Sequence, residues 1–362
     1  MSRSVPAHGL LILRMAFLAA VCGMVAAAPA APQTAAPGNI ETVDTPLAAW
    51  LASRDHALPD TLPDFAVGEA RLVAFREFAD ALAAANWEKA RQLAGTLAYE
   101  LVAIRERNDW FVVASDDSGK GLGPTLVINV SPRSDLVVEA PHEPFERGTA
   151  EQAAVLLREL GGRAAIVSGA HRCASRSFAA CDGRTAVCGS LEAYRDSDLG
   201  HNTGTLFHAA HLAFSERWRG AIFISLHGMK EATEGVRTSL IISNGARNAD
   251  PEARTVATKL RLALERPMGE PGKVVSCNLP ADEVYNYRKL CGYTNVQGRQ
   301  VNGDADACRG SVDNGTGRFI HLEQDWSILR PYARAWTHID QQPSSKAFID
   351  ALASLVPPVP GR

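Results

Sequence analysis

Cysteine is sparse in this chain, and its other scarcities are equally informative. Seven cysteines in 362 residues are too few for a small disulfide-built scaffold. None forms the C-x2-C pair expected of a structural zinc cluster. Beyond the first 30 residues no apolar run approaches the roughly 18 needed to span a bilayer. No basic stripe accompanies the formal charge of −3, which argues against nucleic acid as a partner. G-x-S-x-G is missing, which weakens a serine-hydrolase reading. Ser118-Gly-Lys-Gly-Leu-Gly123 lacks Walker spacing and reads as a turn. No repeat of about 20 to 50 residues is visible. What remains is 46% hydrophobic and 21% charged, the profile of a globular chain with one large core or two smaller ones.

The N-terminus has a different character. Arg3 and Arg14 precede an apolar run from 15 to 28, which meets Ala28-Pro29-Ala30. Positive flank, short apolar stretch and small-x-small site together read as a secretory signal peptide, residues 1–30, cleaved near Ala30. The expected location is periplasmic or secreted, with no stable membrane span after cleavage. Cys22 follows Val21, where a lipoprotein signal wants Gly or Ala, so a lipid anchor is disfavoured. Cleavage removes two basic residues and no acidic ones, taking the charge from −3 to −5. Six cysteines remain: Cys173, Cys181, Cys188, Cys277, Cys291 and Cys308. An even number in an exported chain implies up to three disulfides, at least one joining the two local trios.

Residues 31–42 are Pro-rich and aperiodic, a linker. From 43 to 107, Leu72, Phe75, Phe78, Ala79 and Leu82 recur at helical spacing, and 87–104 repeats the pattern. This predicts a helical hairpin acting as a cap. From 108 to 362 the period changes. Runs at 110–114, 125–130, 136–140, 164–168, 221–226, 239–243 and 319–323 read as strands. Helices are expected at 149–160, with Thr149 as N-cap and Gly161-Gly162 as stop, at 202–218 and at 251–264. The alternation predicts an α/β fold, a mixed and largely parallel sheet flanked by helices. In such sheets ligands bind beyond the carboxyl ends of the strands.

Three of those ends carry chemistry. The strand before Pro141 leads to His142 and Glu146, just ahead of the helix at Thr149. The strand Ile222-Phe-Ile-Ser-Leu ends in His227-Gly228, and Ile320-His-Leu-Glu323 ends in a carboxylate. Two histidines and a carboxylate with one position left to water make a catalytic zinc site. A further carboxylate can take a proton from that water and return it to a leaving amine. His142, Glu146 and His227 supply the ligands, and Glu323 is free to be the base.

These motifs, "APHEPFERGT", "ISLHG" and "RFIHLEQ", resemble the successive metal and base motifs of zinc-dependent exopeptidase-fold hydrolases. That group includes metallocarboxypeptidases, N-formylglutamate amidohydrolases and poly-γ-glutamate hydrolases, the last with a first motif running roughly H-G-G-x-I-E-x-G-T. The likeness spans about 110 to 335. It implies a zinc ion on His142, Glu146 and His227, Glu323 as general base, and hydrolysis of an amide bond. Glu143-Pro144 replaces the paired glycines and the His-to-Glu interval is one residue shorter, so Glu143 competes with Glu146 for the ligand role. Gly148-Thr149 keeps the register for Glu146. Carboxypeptidase-like folds place a carboxylate-binding arginine near Arg172, which implies a substrate anchor there or an internal salt bridge; His171 beside it is a further contact candidate.

Other polar clusters remain. His201, His208 and His211 make one polar stripe on the helix expected from about 202, a rival metal site with Asp198 as its carboxylate, or a set orienting a ligand. Asn295 and Arg299 are candidates for recognising a peptide or acyl-glutamate backbone, and Arg330 for binding a substrate carboxylate or capping a helix. The expected partner is a small-molecule, peptide or polymer substrate with amide bonds. The alternative is a non-catalytic exported binding module on the same fold.

Overall fold

The computed structural model describes residues 37–63, 65–119, 121, 123–230, 238–269, 272–285 and 290–361. The expected signal peptide and residues 31–36 of the expected linker lie outside them. Thr34 to Arg362 form one compact unit.

In chain order the first elements are β1 (Glu41–Val43), α1 (Leu47–Ala52), α2 (Glu69–Ala83), α3 (Trp87–Leu97), β2 (Tyr99–Glu106), β3 (Asp109–Asp116) and β4 (Thr125–Asn129). Then come β5 (Leu136–Ala140), α4 (Thr149–Leu160), β6 (Ala164–Val167), a short hairpin of β7 (Arg184–Thr185) and β8 (Glu192–Ala193), and α5 (Leu206–Arg217). The chain closes with β9 (Ile222–Gly228), β10 (Leu240–Ser243), α6 (Val256–Leu264), β11 (Val274–Ser276), α7 (Val296–Val301), β12 (Phe319–Gln324), α8 (Trp326–Ala335) and α9 (Pro343–Leu355).

Ten strands form one sheet in the order β1-β2-β3-β4-β6-β5-β9-β12-β10-β11. Its centre, β6-β5-β9-β12, is parallel, while β2, β3 and β4 pair antiparallel on one side and β10 runs against β12 on the other. The expected α/β architecture is present. Period-two alternation assigns the faces. In β9, Ile222, Ile224 and Leu226 join the core under α1, α4, α6 and α9, while Phe223 joins the core under α2, α3 and α5. Strands buried on both faces read as continuous apolar runs, which is why they were legible. Among the described residues no helix is long and apolar enough to cross a membrane.

The stretch from 43 to 107 departs from the expected helical cap. Helix α3 stops at Ala98, which takes a left-handed conformation (φ 58°). Tyr99–Glu106 then pairs along its whole length with β3. The apolar spacing of 87–104 fits a helix locally, but antiparallel pairing with β3 overrides it. With β1 paired to β2, this region supplies an edge of the sheet as well as the helices that cover it. Thr149 is the first residue of α4, and Gly148, at φ 96°, takes the cap position expected of it.

Buried polar groups fasten the loops beneath α6. Asp250 accepts from the Thr255 and Arg254 amides (2.8 and 3.0 Å) and from the Thr258 hydroxyl (2.7 Å). Burial alone would raise its pKa; these hydrogen bonds prevail and bring it down to about 2. A carboxyl so depressed stabilises the fold above its unfolded pKa, and the contribution vanishes as pH falls from about 4 toward about 2. Asp250→Asn is expected to cost about 2 kcal/mol at neutral pH. Urea unfolding should show the gap from wild type closing across that acid window.

Candidate metal centre

Three parallel strands deliver the centre. His142 lies two residues past the end of β5, His227 one residue before the end of β9, and Glu323 one residue before the end of β12. The β9–β12 register sets Glu323 directly beside His227. Glu146 swings in from the loop before α4. The Nδ1 atoms of His142 and His227 face each other at 3.1 Å. Glu146 Oε1 is 2.9 Å from the first and Oε2 is 3.3 Å from the second. One donor atom from each side chain therefore falls within a span of 4.8 Å, all three residues buried. Glu146 Oε2 is buried and receives no hydrogen bond among the described residues. An orphaned carboxylate oxygen converging with two imidazole nitrogens fits a divalent cation, because a cation satisfies all three lone pairs at once.

The electrostatics agree. Burial opposes the charged form of Glu146, but His142 and His227 hold its carboxyl well below the usual range. Burial, opposed by Glu146 and reinforced by His321, pushes His227 down to about 3, leaving it neutral. For His142, burial and Arg172 favour the neutral ring, yet Glu146 and Asp198 raise its pKa overall. A ligand histidine must give up that proton to bind metal, so uptake weakens as pH falls. Glu143, the competing ligand, instead accepts from the Thr149 hydroxyl (3.0 Å) and the Ala150 amide (3.3 Å), away from the cluster.

Asp198 backs the centre. A carboxylate only accepts, so His142 Nε2 and His201 Nδ1 both donate to Oδ1 at 2.8 Å. That bond leaves Nδ1 of His142 with the lone pair. Arg172 donates to Asp198 Oδ2 through Nε (3.2 Å) and Nη2 (2.6 Å), and to Glu146 Oε1 through Nη1 (3.2 Å). Of the two roles weighed for Arg172, the structure displays the internal salt bridge. Gly200 makes room behind the ring: a Cβ there would stand 3.2 Å from His142 Nε2.

The rival set of Asp198, His201 and His208 is not assembled. Helix α5 starts only at Leu206, capped by Thr205, so the helical stripe drawn through His201 does not exist. A second grouping, His142, Asp198 and His201, lies close enough for a metal. The Arg172 guanidinium on Asp198 already fills it with positive charge. His208 stacks on His211 (5.6 Å), buried, with Nδ1 unpartnered among the described residues. Burial first, then His211 and Arg76, lower its pKa to about 3. His208→Ala is expected to leave metal uptake at the wild-type level and His227→Ala to abolish it, as read by metal content after dialysis.

Glu323 is buried 3.3 Å from His321 Nε2. Burial raises its pKa, His321 and Arg172 oppose the rise, and Glu146 adds to it. His321, which was not singled out from the sequence, packs against His227 with ring centroids 4.4 Å apart and planes tilted by 36°. Its signal was period two: in Phe319-Ile-His-Leu-Glu it shares a face with Glu323. Gly292, at φ 66°, gives its ring space, since a Cβ there would come within 2.6 to 3.0 Å of it.

No family model and no curated protein matches this chain. Among solved structures, a gene product from Agrobacterium tumefaciens, Atu2144, is similar at a TM-score of 0.36 and 11% identity, over 61% of this chain and 90% of that one. An N-formylglutamate amidohydrolase from Ralstonia eutropha JMP134 is similar at a TM-score of 0.35 and 11% identity, over 64% and 98%. Both are distant, so what the centre can do is read from its own side chains.

The remaining expected contacts scatter. His171 turns its edge to Phe145 (5.1 Å) beside Arg172, near the centre. Asn295 caps α7, accepting from the Gly298 amide, while its buried Nδ2 has no partner among the described residues. Gly200 separates it from His142, a Cβ there being 3.5 Å from that Nδ2. Arg299 is fully buried and donates to Asp182 and to the carbonyls of Tyr293, Ala307 and Cys308, a strut with no face toward a substrate. Arg330 is exposed on α8.

Three disulfides staple the loops around the centre: Cys173–Cys188, Cys181–Cys308 and Cys277–Cys291. Cys181–Cys308 joins the two trios. The stapled segment carries Tyr194, whose ring stacks on His201 at 3.8 Å.

Proposed function

We propose that this protein is an exported zinc-dependent hydrolase that cleaves an amide bond. The observation that carries the proposal is the convergence of His142 Nδ1, His227 Nδ1 and the orphaned Glu146 carboxylate, with buried Glu323 one strand away. The donor set of two imidazoles and one carboxylate is that of a catalytic zinc site. A zinc ion held there supplies Lewis acidity to the scissile carbonyl and brings the pKa of a bound water toward neutrality. Glu323 accepts the proton from the attacking water and delivers it to the departing nitrogen. His321 holds the Glu323 carboxylate in place, and Arg172 and Asp198 keep Glu146 and His142 aimed at the ion. Six cysteines paired in three disulfides support export.

Beside Glu146 lies a cleft of about 310 Å³, lined by the apolar Phe145, Met229, Trp326 and Leu329 and by the polar Arg147, Lys230 and Gln324. It supports a substrate that brings both an apolar group and an anionic one near the scissile bond. The test is metal analysis of purified protein together with a panel of N-acetyl dipeptides, assayed with and without a chelator. Stoichiometric zinc and chelator-sensitive cleavage is the expected result. Protein without metal that cleaves nothing would leave only a binding module.

A further inference from the structure

We infer that Arg147, rather than Arg172, reads substrate charge, selecting amides that carry a carboxylate beside the scissile bond; this rests on the hydrolase reading above. A planar guanidinium matches a carboxylate bidentately. The arginine expected to do so is already engaged. Arg172 is buried, and its guanidinium donates to Asp198 and Glu146. The Phe145 ring covers it, with the ring centroid 5.6 Å from the guanidinium carbon. Phe145 lines the cleft and Arg172 does not. A substrate in the cleft therefore meets an aromatic ring where the expected anchor would stand, and its charge has to be matched elsewhere.

Arg147 supplies the unclaimed charge. The turn from His142 to Thr149 sends consecutive side chains opposite ways: Glu146 is buried at the centre, and Arg147 is exposed in the cleft wall. Backbone bonds fix this turn, the Glu146 amide donating to the His142 carbonyl (3.0 Å) and the Thr149 amide to the Glu146 carbonyl (3.3 Å). Gly148, at φ 96°, lets it press on α8, since a Cβ there would stand 3.0 Å from the Leu329 carbonyl oxygen. Leu329 and Trp326 of that helix also line the cleft. Among the described residues no ion pair uses Arg147, and Glu151, near the start of α4, feels its charge only at longer range. Lys230 adds a second positive charge to the cleft, and the Arg334 guanidinium lies over the Trp326 ring at 5.8 Å. Among the described lining residues the one acid is Glu146, whose charge the ion offsets. In a chain of net charge −3 this is a local excess of positive charge. Apolar walls beside it lower the dielectric and strengthen its pull on an anion. Arg147 sets specificity and touches no reacting atom.

Two matched pairs of substrates, assayed on the full zinc-loaded chain, test the assignment. The first sets N-acetyl-Phe-Glu carboxamide against N-acetyl-Phe-Gln carboxamide, and the second sets N-acetyl-Phe-Gln free acid against its carboxamide. In at least one pair the charged member is expected to show a kcat/KM about 10- to 100-fold higher. The responding pair tells whether a side-chain or a terminal carboxylate is bound. High salt should shrink the preference, because the guanidinium is exposed. Arg147→Gln should abolish it through the KM of the charged member while the zinc content stays at the wild-type level. Arg147→Glu should invert it, an outcome that a merely structural role does not produce, and Arg147→Lys, which keeps the charge without the fork, should retain part of it. A wild type indifferent to charge in both pairs, or an Arg147→Gln variant that keeps the preference, overturns the assignment. A wild type that cleaves none of these substrates overturns the hydrolase reading instead.

Discussion

Glu323→Gln is expected to keep its full complement of zinc and lose between about 10² and 10⁴ in kcat. The substitution keeps the shape of the side chain and an oxygen that can accept from His321 Nε2, now 3.3 Å away. It removes only the capacity to carry a proton. Glu323 stands outside the cluster of His142, Glu146 and His227, so metal content should not move. The pH profile adds a second readout. Burial raises the Glu323 pKa, with His321 the largest opposing influence. A base works only when deprotonated, so the acid limb of kcat/KM should lie above the ordinary carboxylate range. His321→Phe, which removes the opposing influence, should move that limb further up. A Gln variant that retains both zinc and full turnover would put the base elsewhere.

The residues that define the centre were legible because each stands where a strong local pattern ends. β-branched runs mark β5, β9 and β12, and Pro141, Gly228 and Asp325 mark where they stop. What could not be read locally depended on partners distant in sequence. Tyr99–Glu106 has apolar spacing compatible with a helix, and only its pairing with β3 makes it a strand. The role of Asp198 depends on His142, 56 positions away, and on Arg172. Arg299 reads as a substrate contact, and Arg172 as either a substrate anchor or an internal salt bridge, because an arginine carries no sign of what it will meet. One meets Asp198 and Glu146, the other Asp182 and a cluster of carbonyls. His201 and His208 share a stripe only on a helix that starts at Asn202. Thr205, accepting from the His208 amide (3.1 Å), is the actual cap.

Asp198→Ala should cost both stability and metal. This buried carboxylate takes hydrogen bonds from His142, His201 and, twice, Arg172. Removing it leaves the Arg172 guanidinium inside the protein, hydrogen-bonded to Glu146 and with Glu323 as a further nearby carboxylate. Breaking one side of such a buried network is expected to destabilise the fold by about 3 to 5 kcal/mol. Burial works against the Asp198 charge, but Arg172, His201 and His142 hold its pKa well below the usual range. Its stabilisation is therefore present above about pH 4 and lost only as pH falls below that. Metal affinity should fall about 10- to 100-fold, since nothing then fixes the hydrogen of His142 on Nε2. Asp198→Asn separates the two effects. The amide keeps the volume and one accepting oxygen, so urea unfolding of the metal-free protein should show a smaller loss. Its neutral oxygen is a weaker partner for the imidazole than a carboxylate, so the zinc deficit should persist. An Asn variant that folds less stably yet binds zinc at wild-type strength would confine Asp198 to holding Arg172, and His142 would then owe its orientation to the Glu146 side alone.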